Sequence, residues 1–496
     1  MTLQSHSPIY HIYADIRIKF DMKKKYLSII LIISILICSL ALATSCAQSI
    51  DSTTYKIWLD LNIDDGCNVS CQQQVDVVNN YGIPLDNLKF NVYANAFDSK
   101  KPLTCTPEEQ DDYFPNGISF GKFKLEEVYG DFKDWSFDFE SDILTVNLKT
   151  PLLPDEKITV DMKYELTLPN TNGRYGFNDR GISLSGFYPM LCAMQNGEWT
   201  YDEYCPIGDP YFSDAANYQV TFNLPSGWQY VASGKDSKKT QENEDFVTSK
   251  AENIRDFALI LSPTLNKSSV KHSGVTISYL GEKSQTLEFA QRALDTYGKL
   301  FGAYAYDTLA IADMPFVAGG MEYGALCVIN EALSGTTYEE VVAHEIAHQW
   351  WYGAVGSNNL TDAWQDEGLT NYSTYLYFVN TDNLDYSTLM MGDAYTQFHR
   401  FIDIQNSVGE SAKGKLGGKL KDFPSNYYYT NLTYNKSLVM LKYMQDAIGK
   451  QAVIEALKSY YATYKFAIAT PDNLYACLDG SFEGASTLMK NWVASV

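Results

Sequence analysis

The sequence is poor in histidine and in basic side chains. Its 496 residues include six histidines, and two of these, His6 and His11, precede residue 12. Against 60 Asp and Glu there are 38 Lys and Arg, which gives a formal net charge of −22. This charge argues against a nucleic-acid partner, because phosphates attract basic surfaces. It suits a soluble domain outside the cell.

Cysteine patterns typical of metal sites are also missing. The chain has nine cysteines but no C-x-x-C pair, and neither Cys67 and Cys71 nor Cys192 and Cys205 has a histidine nearby. These two pairs therefore do not predict a zinc site. In an exported protein each pair is a possible disulfide.

The N-terminal region contains one candidate export signal. Basic residues at 22–25 precede an apolar run at 26–43, which is how a secretory signal begins, with Met22 as a plausible true start. Three outcomes remain open: lipidation at Cys46, ordinary cleavage after Ala43, or an uncleaved anchor that just spans a bilayer. All three predict a protein outside the cytoplasmic membrane, which contacts the membrane only through residues 22–46.

The rest of the chain changes character near residue 262. Before it, segments such as 55–63 and 158–168 alternate apolar and polar residues, and Asn, Asp, Gly and Pro clusters separate them. After it, helical periodicity begins at 284–297, and the chain is mostly helical beyond Tyr338. We therefore predict an α+β multidomain protein with a β-rich domain at 50–262 and a mostly helical domain at 263–496.

The chemistry is concentrated at His344-Glu345-Ile346-Ala347-His348. On a helix, side chains four apart lie one turn above each other, so His344 and His348 point from one face and can bind a metal. Glu345 is offset by about 100° and can reach a metal-bound water as a general base. The alternative is an amphipathic helix with a chance histidine pair, which the scarcity of histidine disfavours.

A third ligand follows after a spacer of eighteen residues, at Glu367. Catalytic zinc usually has three protein ligands and one open position. Thr361 or Asp362 could cap a second helix that packs on the first and brings Glu367 beside the histidines. The sequence thus predicts one Zn²⁺ bound by His344, His348 and Glu367. Glu339, Glu340 and Asp366 are candidate outer partners of the histidines.

These motifs resemble the membrane alanyl aminopeptidase family, zinc peptidases of the gluzincin type. The matching segments are HEIAHQWWYG at 344–353, WQDEGLTNY at 364–372, a G-x-M-E-N-like Gly319–Tyr323 and a Y-E-K-G-like Tyr434–Ser437. The resemblance implies a saddle-like β-rich domain and a thermolysin-like catalytic domain. Larger relatives add a helical C-terminal domain, and its absence here would leave a more open cleft.

The resemblance also implies roles for individual residues. Tyr434 would donate a hydrogen bond to the oxyanion, with Tyr429 a weaker second candidate. Glu322 would bind the free α-ammonium group of a peptide, and Gly319, Gly320 and Met321 would run beside the peptide. A second amine contact from the β domain has only weak candidates.

The weak candidates for this second amine contact are Gln195 and Glu198, both in the β-rich domain.

Together the motifs predict an exported aminopeptidase acting on peptides with a free N-terminus. The alternatives are another zinc metallohydrolase or endopeptidase on the same scaffold, or a non-catalytic binding lipoprotein. Intact Glu322 and Glu345 disfavour them. Nothing in the sequence indicates the oligomeric state.

Overall fold

The structure is a computed structural model that describes residues 52–63, 67–241, 244–409 and 415–495. The predicted export signal at 22–46, including Cys46, lies outside the described residues. Within the described ranges, no helix has both the length and the apolar character needed to cross a membrane.

Strands dominate the first part of the described chain, as its alternating sequence predicts. In β1, Tyr55, Ile57 and Leu59 point into the core while Trp58 and Asp60 are exposed, which is the two-residue period of a strand with one buried face. The strands are β1 (Thr54–Asn62), β2 (Asn68–Val78), β3 (Leu85–Asn91), β4 (Lys122–Gly130), β5 (Asp134–Asp138), β6 (Ile143–Leu152), β7 (Lys157–Thr167), β8 (Gly176–Asn178), β9 (Gly181–Leu184), β10 (Met190–Leu191), β11 (Ala193–Gln195), β12 (Glu198–Thr200), β13 (Ala216–Leu224), β14 (Gln229–Ala232), β15 (Lys235–Gln241), β16 (Glu244–Ile254) and β17 (Leu259–Ser262).

These strands form four sheets. The largest has seven strands in the order β15-β16-β13-β1-β2-β7-β4. Two four-stranded sheets follow the orders β10-β3-β6-β5 and β14-β17-β9-β8, and β11 and β12 form a hairpin. One apolar core joins residues from the larger sheets, among them Ile57, Val75, Leu144 and Leu259.

A five-stranded sheet begins the second part, in the order β18-β19-β20-β22-β21. Strand β21 pairs only with β22 in this sheet, so it lies at an edge. Gly320, one of the residues expected to run beside the peptide, begins this strand. The strands are β18 (Lys267–His272), β19 (Val275–Leu280), β20 (Thr308–Met314), β21 (Gly320–Tyr323) and β22 (Leu326–Asn330).

Helices make up most of the chain after residue 334. Two π-helical segments interrupt the α-helical pattern: Gln349–Ala354 directly follows His348, and Thr430–Lys436 contains Tyr434. The α-helices are α1 (Gln110–Tyr113), α2 (Thr286–Phe301), α3 (Gly335–His348), α4 (Asn359–Asn380), α5 (Leu384–Ser407), α6 (Asn426–Tyr429), α7 (Ser437–Ile448), α8 (Lys450–Tyr464), α9 (Pro471–Ser481) and α10 (Ala485–Ala494).

The predicted fold class, a β-rich part followed by a mostly helical part, is confirmed. The domain boundary at 262/263 stays a prediction. One correction concerns the start of α4, which is capped by Asn358 rather than by Thr361 or Asp362. The Asn358 side chain accepts a hydrogen bond from the Leu360 amide at 3.0 Å, and Asp362 lies at a kink within the helix.

The cysteine prediction also needs correction. Cys67, Cys71, Cys192 and Cys205 all carry free thiols. Because β2 begins at Asn68, four residues of nearly extended chain separate Cys67 from Cys71 by roughly 13 Å. This exceeds the roughly 7 Å between Cα atoms that a disulfide can span.

Candidate active site

Helix α3 brings the two predicted histidine ligands together. His344 Nε2 and His348 Nε2 are 3.2 Å apart, and the ring of His348 is almost fully buried. The spacing of four residues, about one helical turn, places both rings on one face as the sequence predicts.

Helix α4 packs on α3 and supplies Glu367. Its Oε2 lies 3.3 Å from the Nε2 atoms of both His344 and His348. A tetrahedral zinc ion with bonds of about 2.0–2.1 Å separates its ligand atoms by about 3.3 Å. The three atoms therefore fit one face of a tetrahedral zinc site and leave the fourth position open. The donor set, two imidazoles and one carboxylate, is also one that zinc uses in catalytic sites.

Asp366 orients His348. The His348 Nδ1 and Asp366 Oδ1 atoms are 2.6 Å apart, so an Nδ1 proton donated to Asp366 leaves Nε2 as the metal-binding atom. The other two candidate partners contact different residues. Glu339 accepts hydrogen bonds from Arg292 and Tyr377, and Glu340 accepts one from Tyr386.

Glu345 is part of helix α3 and is buried where this helix packs against strand β21. Its Oε2 atom has no hydrogen-bond partner among the described residues, and burial raises its pKa to about 8. A Cβ atom at Gly320 would lie 2.6 Å from Glu345 Oε1. Gly320 thus leaves the space that the carboxylate of Glu345 fills.

Glu322 places a second buried carboxylate in the site. It lies on β21 with 3% of its surface exposed, and its Oε1 atom, also without a hydrogen-bond partner among the described residues, is 3.9 Å from His348 Nδ1. Burial raises its pKa well above the usual range. A buried carboxylate oxygen with no donor is costly, and an ammonium group is a suitable donor for it.

Tyr434 contacts two of the predicted ligands from the second π-helix, Thr430–Lys436. Its hydroxyl donates to Glu367 Oε1, and its ring stacks on His344 with centroids 5.8 Å apart. Burial raises the pKa of Tyr434 well above its usual range, so it remains a protonated donor. Tyr429 packs edge-on against Tyr434 at 5.8 Å.

A cavity of about 390 Å³ adjoins these residues. Its lining includes Gly320 and Met321 but not Gly319 or Glu322. The β-rich part of the chain before residue 263 and the mostly helical part after it both contribute residues to the cavity wall. The remaining lining residues are Thr104, Glu109, Tyr113, Gly173, Arg174, Tyr204, Pro206, Gly208, Asp209, Phe316, Val317, Ala318, Glu367, Asn426, Tyr429, Thr430 and Tyr434.

The two weak candidates from the β-rich half lie outside the lining of this cavity. Gln195 accepts a hydrogen bond from Asn358, and Glu198 is exposed on the β11–β12 hairpin. The acidic and basic side chains that this half contributes are Glu109, Arg174 and Asp209. A Gly-Asp-Pro sequence at 208–210 marks a turn, but it carries no signal of what the turn approaches.

Comparison with known sequences gives an independent result for this region. Residues 282–492 match the family model described as the peptidase family M1 domain. Aminopeptidase M1 from Arabidopsis thaliana is 27% identical over 237 residues, which cover 42% of this chain and 24% of the relative. Human endoplasmic reticulum aminopeptidase 2 is 24% identical over 366 residues, covering 66% of this chain and 37% of the relative. The chain therefore spans about a quarter to two fifths of the length of these relatives.

Solved structures show the same fold over most of the chain. The M1 zinc metallopeptidase from Deinococcus radiodurans superposes with a TM-score of 0.64 at 16% identity, covering 89% of this chain and 94% of that one. A mutant of it bound to a Tyr-Ser-Ala substrate gives a TM-score of 0.65, also at 16% identity, over 90% and 94% of the two chains. The match of residues 282–492 to the peptidase family M1 domain confirms the resemblance to alanyl aminopeptidases that the motifs carry.

Proposed function

We propose that the protein is a zinc-dependent aminopeptidase that removes the N-terminal residue of peptides, with one ion per chain. The observation that carries the proposal is the geometry of two neighbouring groups. Nε2 of His344, Nε2 of His348 and Oε2 of Glu367 lie 3.2–3.3 Å apart. Glu322 Oε1, which has no hydrogen-bond partner among the described residues, lies 3.9 Å from His348 Nδ1. The first group fits a zinc ion and the second fits a free amine.

Zinc at this position would lower the pKa of a bound water and polarise the scissile carbonyl. Glu345 takes the proton of the attacking water and passes it to the leaving amine. Its geometry supports this role, because Glu345 Oε2 has no hydrogen-bond partner among the described residues and is free to accept a proton from water. Tyr434 stabilises the oxyanion by donating its hydroxyl proton in a hydrogen bond.

Glu322 gives the reaction its exopeptidase character. A charge-assisted hydrogen bond from the substrate ammonium group to a buried carboxylate fixes the scissile bond one residue from the N-terminus. Strand β21, which carries Glu322, is an edge strand. Its unpaired backbone groups are suited to hold an extended peptide beside the predicted metal site.

Fluorogenic aminoacyl amides and N-acetylated peptides separate this proposal from its alternatives. The wild type should cleave the former, lose activity on chelation and regain it with zinc. Glu345→Gln should still bind zinc but lose roughly 10²–10⁴-fold in kcat. Glu322→Ala should lose most of its kcat/KM for free-amine substrates. Cleavage of only N-acetylated peptides by the zinc-loaded wild type would indicate an endopeptidase, and no cleavage at all would indicate a binding protein.

We further propose that the protein is exported and held at the membrane through residues 22–46. The support is the sequence pattern of basic residues, apolar run and Cys46. Expression of the full chain and of Cys46→Ser, followed by separation of membrane and soluble fractions, tests it. Lipidation predicts that the wild type is in the membrane fraction and that Cys46→Ser moves to the soluble fraction. A full-length protein retained in the cytoplasm would contradict export.

A further inference from the structure

A row of buried polar side chains leads from His348 away from the predicted metal position. His348 Nδ1 contacts Asp366 Oδ1 at 2.6 Å, and Asn359 Nδ2 donates to the other oxygen of Asp366 at 3.2 Å. The same Asn359 nitrogen lies 3.5 Å from Oδ2 of Asp209 in the β-rich half of the molecule. His348, Asp366 and Asn359 are at most 3% exposed, and Asp209 is 6% exposed.

The far end of this row lies in the substrate cavity. Arg174 Nη1 donates to Asp209 Oδ1, and Arg174 Nη2 donates to the carbonyl oxygen of Gly208 at 3.3 Å. The Arg174 and Asp209 side chains are 10% and 7% exposed, and both residues line the cavity. The row therefore begins at a predicted zinc ligand and ends where a peptide would bind.

Asn359 is the one member of this row with an amide side chain, and its orientation follows from its neighbours. Ionised carboxylates only accept hydrogen bonds, so the nitrogen of Asn359 faces Asp366 and Asp209. The Asn359 oxygen accepts from Ser357 Oγ at 3.4 Å. Without the amide, two buried carboxylates would face each other and repel.

We propose that Asn359 is a positioning residue that couples the Arg174–Asp209 pair in the cavity to zinc binding at His348. The inference rests on the proposed zinc site and adds an outer contact from the β-rich half to it. Asn359 fixes the carboxylate of Asp366, which in turn fixes the ring orientation and basicity of His348. By linkage, a ligand that engages Arg174 or Asp209 changes the zinc affinity, and zinc changes the affinity for that ligand equally.

The test measures zinc affinity in the absence of substrate, by competition between the full-length protein and a chromophoric chelator. Asn359→Ala should weaken zinc binding by roughly 10–100-fold, the range for outer partners of metal ligands, and Asp209→Asn by a smaller factor. The two losses should not add in the double variant, because the coupling between the sites is already broken. Glu340→Gln, on helix α3 but bonded to Tyr386, is the matched control and should bind zinc like the wild type.

Thermal unfolding of the zinc-free proteins separates positioning from general damage. Asn359→Asp preserves the side-chain volume, so it serves if the alanine variant does not fold, and it should also bind zinc more weakly. Wild-type zinc affinity in a folded Asn359 variant, or additive losses in the double variant, would overturn the proposal. Since no substrate is used, an inactive wild type would refute the proposed peptidase function without affecting this result.

Discussion

The missing side chain at Gly320 decides where the carboxylate of Glu345 lies. The family motif predicts a glycine here because a peptide passes close to the backbone, and Gly320 does line the cavity. The structure adds a second reason, since a Cβ at Gly320 would lie 2.6–2.8 Å from three atoms of Glu345. Gly320 is therefore constrained twice, by the proposed peptide that passes its backbone and by the carboxylate of Glu345, the proposed general base.

Gly320→Ala should displace Glu345 while leaving the three predicted zinc ligands in place. Since a misplacement of about 1 Å can cost about 10²-fold in rate, we expect kcat to fall by about that factor with zinc affinity preserved. Steady-state kinetics and chelator competition measure the two quantities. Gly319→Ala is the comparison, because its Cβ would meet only Val341, at 3.3 Å. Equal losses in both variants would contradict this explanation.

At the scale of elements, the position of Glu367 depends on how closely α4 approaches α7. The neighbouring Gly368 faces Ser437, and a Cβ at Gly368 would lie 2.5 Å from Ser437 Cβ. Contact at this distance leaves no room for a methyl group in a packed interior. The glycine after Glu367 therefore allows α4 to lie against α7, and this contact helps to hold Glu367 beside the histidines.

Gly368→Ala should destabilise the protein by about 1–3 kcal/mol, the usual cost of overpacking a core. Gly392→Ala is the matched control, since Gly392 is exposed in α5 and a Cβ added there would have no atom within 4 Å. There the same change should stabilise the protein by about 0.5–1 kcal/mol, because alanine favours a helix over glycine. Urea unfolding of both variants tests the pair, and destabilisation of similar size in both would show that packing at Gly368 is not the cause.

At the scale of the whole molecule, Asp256 links the β-rich half to the five-stranded sheet that contains β21 and β22. Its Oδ1 accepts a hydrogen bond at 2.6 Å from the Gly324 amide, in the turn between β21 and β22. Its Oδ2 has no partner among the described residues, and burial raises its pKa to about 7. The ordinary value for aspartate is about 3.9.

The raised pKa of Asp256 has a defined effect on stability. Between about pH 4 and pH 7 the folded state binds the proton more tightly than the unfolded state, so the favourable contribution of Asp256 is lost as pH rises. Asp256→Asn cannot ionise and should gain stability relative to wild type between pH 5 and pH 8, by about 2 kcal/mol. Denaturant unfolding at both pH values measures this change. The exposed Asp179→Asn is the control for loss of a charge, and an equal gain in it would contradict the role of burial.

Local sequence determined the parts of this protein that depend on short-range geometry. The two-residue period predicted β1 and its neighbours, because one face of each strand is buried. The four-residue spacing of His344 and His348 fixed their common face, since helical periodicity alone does so. Glu367 was predictable because it lies at a fixed spacing on the adjoining helix.

Tertiary structure alone decided which distant residues meet. Of the three acidic candidates, Asp366 contacts His348, whereas Glu339 and Glu340 contact other residues. The difference depends on the direction in which each side chain leaves its helix and on which element packs there, and sequence spacing does not report the latter. The contact between Asp209 and Asn359 joins residues that are 150 positions apart in the sequence, with no periodicity or motif to link them. Such contacts depend on how the sheets and helices pack together, and this packing sums many small contributions spread along the chain.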